Sequence, residues 1–346
     1  MKTLTVKCLL AIVLMLGVLQ SRADYSKSIH KSWGINSVKA LALESKFTNI
    51  NFVNDRDDSV TIDINISIDD VNESTGEAIA NQIDFSFSMS NGTLKAETDF
   101  SDRFRTNKDF TIQYTVNIPN DRDLDIENKF GNVTLGDLNA NGVFEVKYGN
   151  IYGQNLMAPD NEKIRLELKY GNATFESVNR LYADLGYAKL QSGDMDAAEF
   201  DTQYSIIKTD NVKMMNVDSK YDQYSTETVD QLSVESKFTN WKVGKIMTRF
   251  WIDTQYGDVD VDQVSPDFET VNIQNSYGNI KVGISPSASY QLSSESYYCK
   301  VYFPEADIVK QIEDNNHTTI KATVGKSNPD AKVIVETKYG KVRLTK

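Results

Sequence analysis

Apolar residues along this chain never hold one register for long. They alternate with polar ones for five or six positions, reach an aromatic residue, and resume on the opposite parity. With the aromatic as position zero, positions −6 and −4 are usually apolar, as in Leu124 and Ile126 before Phe130, or Val271 and Ile273 before Tyr277. Alternation with period two predicts a strand. Position −2 is often small and polar, as in Ser45, Asn128, Thr202, Ser219, Ser236, Thr254, Asn275 and Thr337, so the inner face narrows before the aromatic. The next apolar positions are +3 and +5, as in Val133 and Leu135 or Ile280 and Val282. Each unit therefore reads as strand, corner, short strand and return loop.

The units recur. Residues 44–49 and 235–240 are the same six-residue word, and the commonest form, Lys-aromatic-Gly-Asn-aliphatic, stands at 129–133, 147–151 and 169–173. Of eleven words, ten carry Phe or Tyr at position zero (47, 130, 148, 170, 204, 221, 238, 256, 277 and 339), with Leu185 as the exception. From Phe130 to Tyr277 the spacings are 18, 22, 15, 19, 17, 17, 18 and 21 residues. A period near 20 predicts one β-solenoid coil per unit and is too short for paired-helix repeats. Gly followed by Asn or Asp suits the corner, with Gly expected to take the positive φ. The fold expected is all-β, a parallel β-helix-like solenoid of roughly 17–22-residue coils with an N-terminal antiparallel β cap. Nine or so coils stacked about 4.8 Å apart would make a body on the order of 45 Å long.

The long alternating runs 60–66, 83–87 and 110–116 read as half-buried antiparallel strands that cap the stack. The division expected is a leader at 1–23, a cap region at 24–120 closed by Pro119, solenoid repeats at 121–285, and irregular C-terminal coils and cap at 286–346. Register is lost after Pro286 until the final word at Tyr339, and Pro304–Glu313 reads as a short helix.

The opening strand pair, the Tyr-Thr-Val-Asn-Ile-Pro segment at 114–119 and the serial Tyr-Gly-Asn/Asp-aliphatic words together resemble the exported β-strand-repeat proteins classed as "putative adhesins", including the head GIN domain and auto-transporter adhesin group. The resemblance spans most of the chain beyond the leader. It implies an exported adhesive solenoid and offers no catalytic residues. Where Thr48-Asn49 or Ser205-Ile206 replaces Gly-Asn, the corner is expected to survive with less regularity.

Lys2 and Lys7 precede an apolar run from Cys8 to Leu19, with Ser21 and Ala23 at the −3 and −1 positions of a cleavage site. This predicts a secretory leader cut between Ala23 and Asp24. The run is shorter than the ~20 residues of a membrane span, so no span is expected after cleavage. Cleavage removes three cations and no carboxylate, taking the formal charge from −12 to −15. An acidic chain excludes a nucleic-acid partner that needs a basic face. Only Cys299 remains beyond the leader, so no intramolecular disulfide can form, and the thiol reads as a small buried hydrophobe.

Candidate chemistry is sparse. His30 and His317 are the only histidines, so no zinc site is expected, and His317 falls in a polar turn. Asp258, Asp260 and Asp262 alternate along one strand and read as a solvated acidic face. No phosphate loop or nucleophile elbow occurs. Parity places the aromatic ladder with the core or at its edge, the alternative being an exposed stripe suited to sugars or proteins. The lysines at position −1 (46, 129, 147, 169, 220, 237 and 338) are expected to point outward, either among carboxylates or as a row gripping an anionic glycan. The reading is a non-enzymatic envelope or surface protein presenting a solenoid to a glycan or cell-surface protein, with no catalytic residue, metal or cofactor. The competing readings are a β-helix polysaccharide lyase or hydrolase, and a purely structural or signalling component. Carboxylates and a Lys or Arg converging in one groove across adjacent coils would favour the enzyme.

Overall fold

The computed structural model describes residues 24–54 and 58–346, so the leader and Ala23 lie outside the described residues and Asp24 begins them. Its 26 strands form one continuous sheet that winds as a solenoid. Each coil has a leading strand before its aromatic corner and a trailing strand after it. Leading strands pair with leading strands in parallel register, as Val143–Lys147 with Arg165–Lys169, and trailing with trailing, as Asn150–Gly153 with Asn172–Phe175. In the middle of the stack the return loop vanishes. Strands Asn172–Gly186, Lys189–Gln203, Ile206–Lys220, Gln223–Lys237 and Asn240–Gln255 each serve first as one coil's trailing strand and then as the next coil's leading strand.

Alternation decides what is buried. Positions −6, −4 and −2 face inward, and one core runs from Val38 to Leu344 along the stack. The coil assigned to Leu185 turns instead at Tyr187, which has φ 53°. Leu185 sits at position −2, 1% exposed in the core. The spacings of 15 and 19 thus become 17 and 17, and the middle coils are uniform.

Order in space departs from order in sequence at both ends. Ala40–Lys46 lies between Thr93–Phe100 and Asp123–Lys129, so the chain leaves the first coil, builds the cap and returns. The cap is antiparallel: Ile83–Ser90 pairs with Thr93–Phe100, Ser59–Ile68 with Phe110–Asn117, and Tyr25–Gly34 with Ser59–Ile68. A helix, Glu73–Ala80, packs there, its N-terminus capped by Asn72 Oδ1 accepting from the Thr75 amide at 2.9 Å. At the far end the last strands, Lys332–Lys338 and Val342–Thr345, slot between the coils of Tyr277 and Tyr298.

Two expectations fail there. Register is not lost after Pro286, because Tyr290–Tyr297, a corner at Tyr298 and Val301–Tyr302 form a further coil, whose corner reads Tyr-Cys-Lys. The short helix at Pro304–Glu313 is instead a strand, Asp307–Asp314, hairpinned onto His317–Val324, which itself pairs antiparallel with Tyr290–Tyr297. Local propensity was overridden because the end of a stack exposes backbone groups that a hairpin can pair.

Candidate functional site

The corner aromatics form one continuous column on the outside of the solenoid. Running from Phe47 through Phe130 and the middle coils to Tyr277, Tyr339 and finally Tyr298, neighbouring rings lie 4.8–5.1 Å apart and within 14° of parallel. Each ring is 43–59% exposed. The column is therefore neither core nor a set of open platforms. Except at the terminal Tyr298, which stacks on Tyr339 alone, the faces are covered by neighbouring rings and mainly ring edges and tyrosine hydroxyls meet solvent, which removes the geometry that stacking a sugar on a ring requires.

The expected division of labour at the corner was reversed. The aromatic itself takes the left-handed conformation, with φ between 53° and 64° at all twelve positions. This bend turns positions −1 and zero outward in succession, so the parity shift falls at the aromatic and position +1 points in. A left-handed side-chain residue costs roughly 1–2 kcal/mol, and a stacked aromatic pair contributes about 0.5–1.5 kcal/mol. The two nearly cancel, so the column fixes coil register without adding much stability. Glycine at +1 answers a steric demand: a Cβ on Gly149 would lie 1.9 Å from the Gly131 carbonyl oxygen, and one on Gly171 1.8 Å from that of Gly149.

Outside the leading strands, position −3 is a row of carboxylates in register, from Glu97 and Glu44 through Glu127, Glu145 and onward to Glu336 and Glu295, interrupted by Gln274. Like charges on adjacent strands repel, and the lysines at −1 answer them. Lys129 lies 2.9 Å from Glu127, Lys147 2.5 Å from Glu145 and 3.4 Å from Glu167, and Lys169 2.5 Å from Asp184. The hydrogen bonds to Glu127 and Glu145 raise the pKa of Lys129 and Lys147. Two mid-stack coils have Gly186 and Gln203 at −1, and there the pKa of Asp201 is raised by desolvation and then by Asp184 and Asp218. These lysines point outward, and four of them, Lys129, Lys147, Lys169 and Lys220, stand within 4 Å of a carboxylate.

The outside of the trailing strands is chemically different. At +2, Asn132, Asn150 and Asn172 each donate from Nδ2 to the asparagine one coil earlier, at 3.2, 2.8 and 2.6 Å. At +4 stand Asn51, Thr134, Tyr152, Thr174 and Gln191, uncharged throughout. Charge first appears in mid-stack, with Lys189 at +2 and Lys208 at +4, and becomes denser toward the C-terminal end. Asp258 Oδ1 accepts from the Asn279 amide at 2.9 Å, and Asp260 pairs with Lys281 at 3.2 Å, so two of the three aspartates singled out in the sequence are bound to polar neighbours. Asp262 faces outward without joining a ligand set, and among the described residues no three His, Cys, Asp or Glu side chains gather as a metal would need.

The remaining candidates are structural. His30 pairs with Asp63 at 2.6 Å on the exposed cap. His317 opens a strand rather than lying within a turn; it stacks on Tyr297 at 4.4 Å and meets Glu295 at 2.9 Å, fastening the C-terminal hairpin to the last coil. The hydrogen bond from Tyr297 and that from His317 lower the pKa of Glu295. Cys299 occupies a corner +1 position, half-buried, its Sγ 3.5 Å from the Thr337 carbonyl.

Along the edge opposite the column lies a groove of about 460 Å³ that gathers Asp194, Asp196, Asp230 and Lys213 from successive coils. Sequence reading missed it, because its members share no word and meet only through stacking. Each is already engaged. Asp194 accepts from Asn211 at 2.8 Å, Asp196 from Lys213 at 2.6 Å, and Asp230 from Thr248 at 2.6 Å. The Asp196 hydrogen bond raises the pKa of Lys213, which is the wrong direction for a general base.

No protein-family model matches the chain, and no curated protein does. Among solved structures it is similar to a "putative cell adhesion protein" from Clostridium sporogenes, with 10% identity over 93% of this chain and 99% of that one and a TM-score of 0.21. It is also similar to a "putative adhesin" from Bacteroides fragilis, with 13% identity, 92% and 97% coverage and a TM-score of 0.30. A third, a "putative lipid binding protein" from Parabacteroides distasonis, has 10% identity, 92% and 97% coverage and a TM-score of 0.33. No helix of the described residues is long and apolar enough to cross a membrane.

Proposed function

We propose that this chain is an exported, non-enzymatic surface protein, adhesive in role, whose solenoid presents an extended face to a glycan or cell-surface protein. Residues 1–23 are its leader, 24–120 its cap, 121–285 its body and 286–346 its closing end. The observation that carries the reading is the N-terminal part of the trailing face, uncharged at +2 and +4 up to the coil of Tyr170, where the +4 residues Asn51, Thr134 and Thr174, and Gln191 of the next coil, make no side-chain hydrogen bond among the described residues. Amides and hydroxyls left free on a rigid, regularly spaced surface suit recognition of a polymer by many weak polar contacts. The leading face is a poorer candidate, since several of its charges already satisfy one another.

Residues 24–346 should bind at least one cell-surface fraction in a pull-down or glycan array, and failure to bind any would sink the adhesive role. The groove holding Asp194, Asp196, Asp230 and Lys213 is what a polysaccharide-active enzyme would use. Incubation with polysaccharide mixtures should release no new reducing or unsaturated ends. Release that is abolished by Asp194→Asn or Lys213→Gln would reverse the assignment. N-terminal sequencing of exported protein should begin at Asp24.

A further inference from the structure

The charges expected to grip an anionic ligand were the lysines at −1, and several of those are occupied by carboxylates. Lys46, Lys237 and Lys338 of that row have no carboxylate within 4 Å among the described residues, and a denser group of cations stands on the other face. At the C-terminal end of the trailing face, the +4 row reads Lys242, Asp260, Lys281, Arg343 and Tyr302 across successive coils in space, and the +2 row beside it includes Asp258, Lys341 and Lys300. Five cations thus face two carboxylates on a protein whose formal charge is −12. A groove of about 500 Å³ runs between the rows. The two carboxylates are committed, Asp258 to Asn279 and Asp260 to Lys281. Among the described residues Lys341 and Arg343 have no carboxylate partner; they lie over the Tyr302 ring, 6.0 and 5.7 Å from its centroid.

The strand that brings Lys341 and Arg343 here is the one inserted out of sequence order between the coils of Tyr277 and Tyr298. Cation–π contact holds the two heads in place without neutralising them, and Arg343 offers a fork that fits a carboxylate or sulfate in bidentate fashion. At physiological ionic strength the Debye length is about 8 Å, so a ligand here feels these cations and little of the protein's overall negative charge. The cationic end is continuous with the amide and hydroxyl rows of the same face, which suit sugar hydroxyls.

We propose that this groove binds the acidic groups of an anionic polysaccharide, the chain running along the trailing face with its carboxylates or sulfates on Lys341 and Arg343, beside the Lys281–Asp260 pair. The inference rests on the adhesive reading above and names its ligand class.

The test is titration calorimetry of residues 24–346 with a polyuronate oligosaccharide, a sulfated glycan, the methyl-esterified neutral form of the polyuronate, and vesicles containing anionic phospholipid. Binding to the polyuronate or the sulfated glycan, weakened by salt and absent for the neutral form, is expected. The Lys341→Gln/Arg343→Gln pair should lose tenfold or more in affinity. Lys46→Gln/Lys237→Gln on the leading face should change it less than twofold. Both pairs are solvent-exposed, and an unchanged melting temperature verifies their fold. Equal binding of the neutral form, or an unchanged affinity in the Lys341/Arg343 variant, overturns the proposal. Binding to vesicles with no acidic glycan bound overturns it too, by making the ligand a lipid. If neither acidic glycan binds while a cell-surface fraction still does, the groove assignment fails and the adhesive reading stands; if no fraction binds, both fail.

Discussion

In the coils of Phe130, Tyr148 and Tyr170 the residue after the aromatic is glycine, whereas in the middle coils of Tyr187, Tyr204, Tyr221 and Phe238 it is Ala188, Ser205, Asp222 and Thr239. Both kinds of corner bend at a left-handed aromatic. The glycine corners close tightly, backbone against backbone of the coil before. The middle corners admit a side chain and must satisfy it. Asp222, 2% exposed, accepts from the Ser205 amide at 2.5 Å, from Thr202 and Ser219 hydroxyls at 2.7 Å each, and from the Lys220 amide at 3.1 Å. Tyr224 extends this cluster through Thr202 at 2.7 Å, and burial raises its pKa. One bend is thus compatible with two interiors, one steric and one polar.

The difference is breakable. Gly171→Val should cost at least about 4 kcal/mol in denaturant unfolding, since its Cβ meets a carbonyl that belongs to the sheet and cannot yield. Ala188→Gly should cost only about 1 kcal/mol; equal effects at both sites would abolish the distinction. Asp222→Ala strands several buried donors at once and should cost about 3 kcal/mol, while Asp258→Ala, on the exposed trailing face, should change stability by less than about 0.5 kcal/mol.

The column itself separates bend from stack. Tyr221→Ala keeps the left-handed penalty and loses two ring contacts, an expected loss of about 1–2 kcal/mol. Tyr221→Gly loses the same contacts but removes the penalty, so it should be the milder change by roughly 1 kcal/mol. An alanine variant more stable than the glycine one would mean that the bend carries no strain.

The smallest effect concerns the leading face. Asp201 has its pKa raised above the unfolded value, so its ionisation opposes folding at neutral pH, and stability is regained as pH falls through the folded pKa. Asp201→Asn should therefore stabilise the protein at pH 7 by less than about 1 kcal/mol, solvent screening keeping it small, with the gain shrinking as the wild-type carboxyl protonates. Melting temperatures measured from pH 7 to pH 4 test both sign and trend. A variant less stable at pH 7 would mean that the carboxylate is wanted there.

Much of the fold was legible because a solenoid repeats its instructions. Period two gave the strands, and the slip in parity placed a corner near every aromatic. Leu185 was mistaken for a corner because the coil of Tyr187 lacks Gly-Asn, and only pairing with its neighbours shows that the bend lies two residues later. The coil at Tyr298 was missed for the same reason. Alternation also implied a buried aromatic, since the slip in parity marks a corner without saying which residue bends, and only a left-handed bend at the aromatic turns position zero outward.

The candidate surface was less readable than the coils. Lys341 and Arg343 look unremarkable in a C-terminal stretch, and Lys281 lies sixty residues before them. They meet because the final strand inserts next to the coil of Tyr277 and not at the end of the stack.

The sequence by itself determined the repeat, the strand faces and the acidic balance, because alternation and composition are local properties that a coil cannot hide. Tertiary structure decided which coil neighbours which, which residue bends, and which cations are left without partners. Those follow from pairing between segments far apart in the chain, where one inserted strand changes every neighbour it touches.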